Sequence, residues 1–91
     1  MKSVFQNDKE CFICHRYPVH EHHIFFGPFR KKSEKLGMKI YLCPAHHNMS
    51  DEGIHFNKNL DLTIKRMAQK YYEENIGSRT QFISDFGRNY L

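Results

Sequence analysis

The sequence predicts a small α+β domain stapled by a metal ion. Three observations lead there. Stretches rich in β-branched, aromatic and aliphatic residues fall before about residue 44, and stretches with helical apolar spacing fall after it. The chain has 91 residues, and a domain of that length buries only about two-thirds of the surface it exposes when unfolded. Hydrophobic residues make up 40% of it, with 8 Phe, 5 Tyr and no Trp, so the core is thin. Finally, 7 His and 3 Cys are too many of the first and too odd a number of the second for a disulfide scaffold, and they fit a metal site in a reducing compartment.

Taken in order, the N-terminal segment Met1 to Asp8 has no apolar run behind Lys2, so no secretory signal is expected. No stretch approaches the roughly 20 apolar residues of a membrane span, and a cytoplasmic protein without a membrane partner is expected. Val19 to Phe26 and Lys39 to Cys43 read as two strands of a hairpin, with Gly27-Pro28 as a turn signal after the first. A long basic loop is expected between them: residues 30 to 39 hold five basic residues (Arg30, Lys31, Lys32, Lys35, Lys39) against Glu34. The whole chain carries 14 basic and 10 acidic residues, a net +4, so this stretch accounts for the excess. Such a run is commonly a solvated loop, and alternatively it supplies phosphate contacts for nucleic acid, with Arg30, Lys31, Lys32 and Lys35 as candidates. Leu60, Ile64, Met67, Ala68 and Tyr71 recur at helical spacing, with Asn57 or Asn59 as cap and Gly77 as terminator. Ser78-Arg79-Thr80-Gln81 has the form of a capping box, and a short helix with Phe82, Ile83 and Phe86 on its apolar face ends at Gly87. The apolar residues of both helices are assigned to the core.

Cys11 and Cys14 have the two-residue gap that presents two thiolates to one tetrahedral ion, and Cys43 and His46 repeat it. Together they form a Cys3His set suited to structural zinc, with a buried thiol pair or a redox Cys-x-x-C as alternatives. No βαβ pattern surrounds the motif, which weakens the redox reading. His20, His22, His23, His47 and His55 are surplus to a four-ligand site. They are surface residues, or exchange with the zinc set, as His47 could for His46, or form a second, catalytic metal site.

Glu21-His22-His23-Ile24 on the first strand, Leu42-Cys43-Pro44-Ala45-His46-His47 at the end of the second, and Gly53-Ile54-His55 together resemble the HNH endonuclease family, more closely its short phage and prophage members with a structural zinc. The resemblance covers about residues 11 to 58, with 59 to 91 a helical extension, and one domain is expected over 1 to 91. It implies a ββα-metal fold, also called the His-Me finger. It also implies hydrolysis of DNA phosphodiesters, with His22, His47 and His55 holding one catalytic divalent ion and His23 as general base. Asp51 is the alternative to His55. The Asn that names the family is missing, since the stretch before Cys43 reads Met38-Lys39-Ile40-Tyr41-Leu42.

The chemistry suits these residue types. A neutral imidazole, with an ordinary pKa near 6.5, takes a proton from water at neutral pH. Neighbouring strand residues face opposite ways, so His22 can turn to a metal while His23 faces substrate. Three imidazoles favour Zn, Ni, Co or Mn over Mg, although the resemblance leaves Zn, Mn, Ni or Mg open. DNA is the expected partner, with a phage or host recombination, packaging or restriction protein beside it. The alternative is a zinc-stapled DNA-binding or adaptor domain of the same fold without catalysis. A cross-braced two-zinc interaction domain is disfavoured because there is no second Cys-x-x-C. His15 and His20 are expected to be exposed or hydrogen-bonded, Glu21 to be solvated, and Arg88 and Asn89 to need no phosphate to explain them.

Overall fold

A computed structural model describes residues 1–49 and 53–91. Its described residues form a small α+β structure with one two-stranded antiparallel sheet and four α-helices. Strand β1 (His20–His23) pairs with β2 (Lys39–Leu42) in the register His20↔Leu42, Glu21↔Tyr41, His22↔Ile40 and His23↔Lys39. Both strands are shorter than the apolar runs that announce them. Ile24 N–H still reaches Met38 O at 3.0 Å, but Phe25 N–H donates to Ser33 Oγ at 3.3 Å, which ends the ladder before the Gly27-Pro28 turn.

The connection between the strands departs from expectation. In place of a long loop it holds a 3-10 turn (Gly27–Phe29) running straight into helix α1 (Arg30–Lys35). Ser33, fully buried, fastens α1 to both strand ends by donating its hydroxyl to Met38 O at 2.6 Å. Gly37 then turns the chain at φ +70°, where a Cβ would lie 2.6 Å from Lys2 O, so a glycine is required for the N-terminal segment to cross here.

Helix α2 (Pro44–His47) is one turn started by Pro44, whose missing N–H costs nothing at a first helical position. Helix α3 (Lys58–Asn75) begins where Asn57 Oδ1 accepts Leu60 N–H at 3.1 Å, which selects Asn57 over Asn59 as the cap. It stops before Gly77, with the N–H groups of Ile76 and Gly77 both on Tyr72 O. Helix α4 (Arg79–Phe86) has the full capping box between Ser78 and Gln81 and ends at Gly87 in the left-handed region.

The core lies where the sheet's end meets α3 and α4. Phe25 packs on Phe86 (centroids 4.3 Å) and Phe82 (5.5 Å), and Tyr72 on Phe82 (5.3 Å), beside Ile64 and Ala68. Two details of the helix assignments change. Tyr72 rather than Tyr71 is the deeply buried tyrosine, and Ile83 is exposed. Gln69, also fully buried, donates to Asn89 Oδ1 (2.7 Å) and accepts Tyr90 N–H (2.7 Å), so Asn89 serves to tie down the C-terminal segment. No helix among the described residues is long and apolar enough to cross a membrane.

Candidate metal centres and the histidine cluster

The Cys-x-x-C turn is closed by His15 N–H to Cys11 O (2.9 Å) and Cys11 N–H to Arg16 O (3.2 Å), and it is docked on β2 by Phe12 N–H to Tyr41 O (2.8 Å). That docking sets Cys11 and Cys14 against the end of the same strand that delivers Cys43. From there α2 folds His46 back, with His46 N–H on Cys43 O at 3.0 Å. The ligand atoms of Cys11, Cys14, Cys43 and His46 all lie within 4.8 Å of one another and can hold a metal ion. Cys14 Sγ and Cys43 Sγ are 3.6 Å apart, while His46 Nδ1 is 3.2 Å from Cys43 Sγ and 3.6 Å from Cys11 Sγ. Zinc bond lengths of about 2.3 Å to sulfur and 2.0–2.1 Å to nitrogen make tetrahedron edges of roughly 3.8 Å for S···S and 3.6 Å for S···N. The donor set therefore fits a tetrahedral ion in number, type and spacing. Burial opposes ionisation of Cys11, but the backbone N–H groups of Cys43, Cys14 and Ile13 outweigh it and bring this thiol down to about 6. Arg16 N–H favours a thiolate at Cys14, yet burial and the neighbouring sulfurs of Cys43 and Cys11 raise its pKa.

A second cluster is built from the three elements around this staple. His22 comes from β1 and His47 from the end of α2. His55 lies eight residues beyond His47 in sequence, but Ile54 N–H to His46 O (2.8 Å) and His55 N–H to His47 O (3.2 Å) fold the following segment back onto α2. Ring centroids stand 5.4 Å apart for His22 and His47, 5.2 Å for His22 and His55, and 4.7 Å for His47 and His55, and the three rings offer nitrogens within 4.8 Å of one another. His47 Nε2 and His55 Nε2 are 3.0 Å apart. His22 Nε2 is buried without a hydrogen-bond partner among the described residues, a costly state for a polar atom that a metal ion relieves. Burial, reinforced by His47, His55, His23 and Lys65, depresses the His22 pKa to about 3, and burial with His55 and His20 lowers that of His47. Neutral imidazoles are the ligand form. The three histidines thus fit a divalent ion. Asp51, the alternative to His55, lies outside the described residues.

His20 is exposed, and its Nδ1 sits 3.0 Å from His47 Nδ1, the ring nitrogen of His47 that faces away from His55. It is therefore an outer partner of a candidate ligand, a position at which metal-binding histidines are commonly oriented.

His23, one residue from His22, enters a different neighbourhood. Its side chain is 8% exposed, with Nε2 3.0 Å from Glu34 Oε1 and 3.5 Å from Glu21 Oε1, while Arg30 Nε donates to Nδ1 at 3.4 Å. Lys39, opposite His23 in the sheet, is buried and binds Glu34 at 2.9 and 3.0 Å and Glu21 at 3.3 Å. Burial works against the Lys39 charge, but Glu34 and Glu21 outweigh it and raise its pKa. The N-terminal ammonium of Met1, Lys39 and His23 together hold the Glu34 carboxyl well below the usual carboxylate range. A cleft of about 480 Å³ opens here, lined by Glu21, His23, Gly27, Arg30, Lys31 and Glu34. A smaller one of about 160 Å³ covers the His22, His47 and His55 side, and Glu21, His23 and Arg30 line both.

The basic run is less available than its count suggests. Lys32 pairs with Asp85 at 3.0 Å and Lys39 is buried, whereas Arg30, Lys31 and Lys35 are exposed on α1. Glu21 is exposed as expected, yet it belongs to the Lys39 and His23 network. Glu34 and Lys39 escape sequence reasoning because each is a single charge inside a run whose sum draws the attention. No family model, no curated protein and no solved structure matches the chain.

Proposed function

We propose that this protein is a metal-dependent endonuclease of HNH type, hydrolysing DNA phosphodiesters with His23 as general base. The observation that carries the reading is the pairing of a three-histidine cluster, one of its nitrogens buried without a partner among the described residues, with an adjacent histidine held by a carboxylate in a cleft lined by Arg30 and Lys31 as well as Glu21 and Glu34. The element order supports it too: β1 and β2, joined through α1, are followed by the helical turn α2, and a ββα-metal motif requires two strands and a helix.

In this reading Cys11, Cys14, Cys43 and His46 hold zinc as a structural staple, and His22, His47 and His55 hold one divalent ion. That ion supplies Lewis acidity at the phosphoryl group and its leaving oxygen. The chain's own residues do the rest. His23 accepts a proton from the attacking water, the larger cleft admits the DNA backbone, and Arg30, Lys31 and Lys35 contact phosphates along α1. Lys32, engaged by Asp85, contributes less. General base catalysis contributes about 100- to 10,000-fold, more than one exposed phosphate contact.

A plasmid nicking assay with Mn, Mg, Ni and Zn in turn tests the reading. Cleavage is expected with at least one of them, and His23→Ala should abolish it while fold, zinc content and DNA binding persist. Undiminished cleavage by His23→Ala refutes the base assignment. DNA binding by the intact protein without cleavage under any metal leaves the zinc-stapled binding domain in its place.

A further inference from the structure

The sequence singles out His23 but not what aims it. We infer that Glu34, carried into the hairpin by α1, is a positioning residue that holds His23 in its Nε2–H tautomer, so that Nδ1 is the atom that accepts the proton from water. This inference rests on the nuclease reading for its catalytic meaning, while the orientation of His23 stands on hydrogen-bond chemistry alone.

Two neighbours specify the same tautomer independently. An ionised carboxylate only accepts, so the nitrogen 3.0 Å from Glu34 Oε1, Nε2, carries the hydrogen. A guanidinium only donates, so the nitrogen facing Arg30 Nε at 3.4 Å, Nδ1, presents its lone pair. The carboxylate is itself fixed, because Lys39 Nζ grips both of its oxygens, at 3.0 Å and 2.9 Å. Glu21, His23 and Glu34 also offer donor atoms within 4.8 Å of one another, but the Lys39 ammonium already lies against both carboxylates and supplies the cation that a metal would. The trio therefore orients a base and does not bind an ion.

Arg30 completes the arrangement. Its contact with Nδ1 is long and its side chain is exposed, so a phosphate entering the cleft competes for the guanidinium and uncovers the basic nitrogen. In the reaction, the O–H bond of water breaks and its proton goes to Nδ1, while the hydroxide oxygen forms the new bond to phosphorus. The bond from phosphorus to the leaving oxygen breaks with its electron pair, that oxygen takes a proton from solvent, and Nδ1 returns its proton to solvent. Nε2–H stays on Glu34 throughout. This is the role an acidic residue plays behind other catalytic histidines, where losing the correct tautomer lowers turnover by several powers of ten.

Imidazole nitrogen NMR on the zinc-loaded wild-type protein at pH 8 reads the tautomer directly, without DNA. Protonated Nε2 and bare Nδ1 at His23 are expected. In Glu34→Ala the two tautomers should mix, kcat should fall at least 10-fold with KM changed less than about threefold, and Glu34→Gln, which keeps an acceptor oxygen, should recover part of the loss. A wild-type His23 protonated at Nδ1 overturns the inference even if the variants fail to fold, and so does a Glu34→Ala protein with unaltered tautomer and kcat. The expected tautomer in a protein that cleaves no DNA under any metal overturns the nuclease reading and leaves the orientation of His23 by Glu34 standing.

Discussion

Removing a metal ion from the Cys3His set should unfold the protein. The cleanest perturbation is Cys14→Ser, because Cys14 is half-buried whereas Cys11 is wholly buried, and a serine at 11 would add a stranded hydroxyl to the core. A domain of 91 residues has a net stability of about 5–14 kcal/mol at the usual 0.05–0.15 kcal/mol per residue. Structural zinc in finger-sized sites contributes roughly 10–16 kcal/mol at neutral pH. The ion's contribution is thus of the same size as the whole. The four donors come from the N-terminal turn, the end of β2 and α2, so loss of an ion held there would free all three at once. If serine at 14 removes only about 3 kcal/mol of that contribution, the melting temperature falls by roughly 12–24 °C for a domain of this size. Circular dichroism melts in reducing buffer, with zinc counted per chain by mass spectrometry before and after a strong chelator, measure it. The wild-type protein should keep one zinc through mild chelation, lose a second, weaker ion without unfolding, and unfold when the first is stripped. A reduced, metal-free protein that melts within about 4 °C of the loaded one refutes the argument.

Further perturbations follow from burial and charge. His22 has its pKa depressed to about 3 when folded, against 6.5 when unfolded, so its contribution to stability is complete above pH 6.5 and declines as pH falls toward 3. With the weaker ion stripped and zinc retained, wild type should lose about 1 kcal/mol more than His22→Leu between pH 7 and 5.5, read from urea midpoints; equal losses refute it. Phe82 is fully buried against Phe25, Tyr72 and Phe86, and Phe82→Ala should cost about 3–5 kcal/mol in denaturant unfolding, whereas a cost below 1 kcal/mol would show that this core does not carry the fold. Lys31→Ala should lower the slope of DNA affinity against salt by about 1, while Lys32→Ala, at a residue occupied by Asp85, should leave it nearly unchanged; equal effects would refute this division of the α1 charges.

What could be read in the sequence was whatever local spacing encodes. The two Cys/His pairs, the capping box at Ser78 and the Gly87 stop each place their chemistry within four residues, and the structure shows all of them, while it selects Asn57 from the two asparagines that could cap α3. The position of His55 beside His47 was legible only as a family resemblance, because two backbone hydrogen bonds that no local pattern announces fold it back. Helix α1 is not legible in the sequence because six residues are too few to display a period, and because what holds it is tertiary, namely Ser33 on Met38 O and on Phe25 N–H. Helical spacing picks out Tyr71, which does pack half-buried against the core, but passes over the more deeply buried Tyr72, because adjacent helical residues stand about 100° apart and either can lead the apolar stripe. Only packing on Phe82 and the hydrogen bond to Asp85 at 2.7 Å select the second.

That residues 30–35 form a helix and not a loop has a chemical consequence. A basic loop would offer five interchangeable charges to a phosphate, and losing any one would matter equally. A helix pinned by Ser33 instead gives each residue its own assignment. Arg30, at its first position, lies over His23, and Glu34, one turn on, lies behind it. Lys32 on another side ties α1 to α4 through Asp85, which also accepts the Tyr72 hydroxyl. The segment that supplies the net positive charge is thereby the segment that aims the proposed base, and its one acid matters more to that task than its surplus of cations. On that account, swapping Lys31 and Lys35 for arginines should be tolerated, whereas moving the single carboxylate from 34 to 35 should not, although both changes leave the sum of charges on α1 as it was.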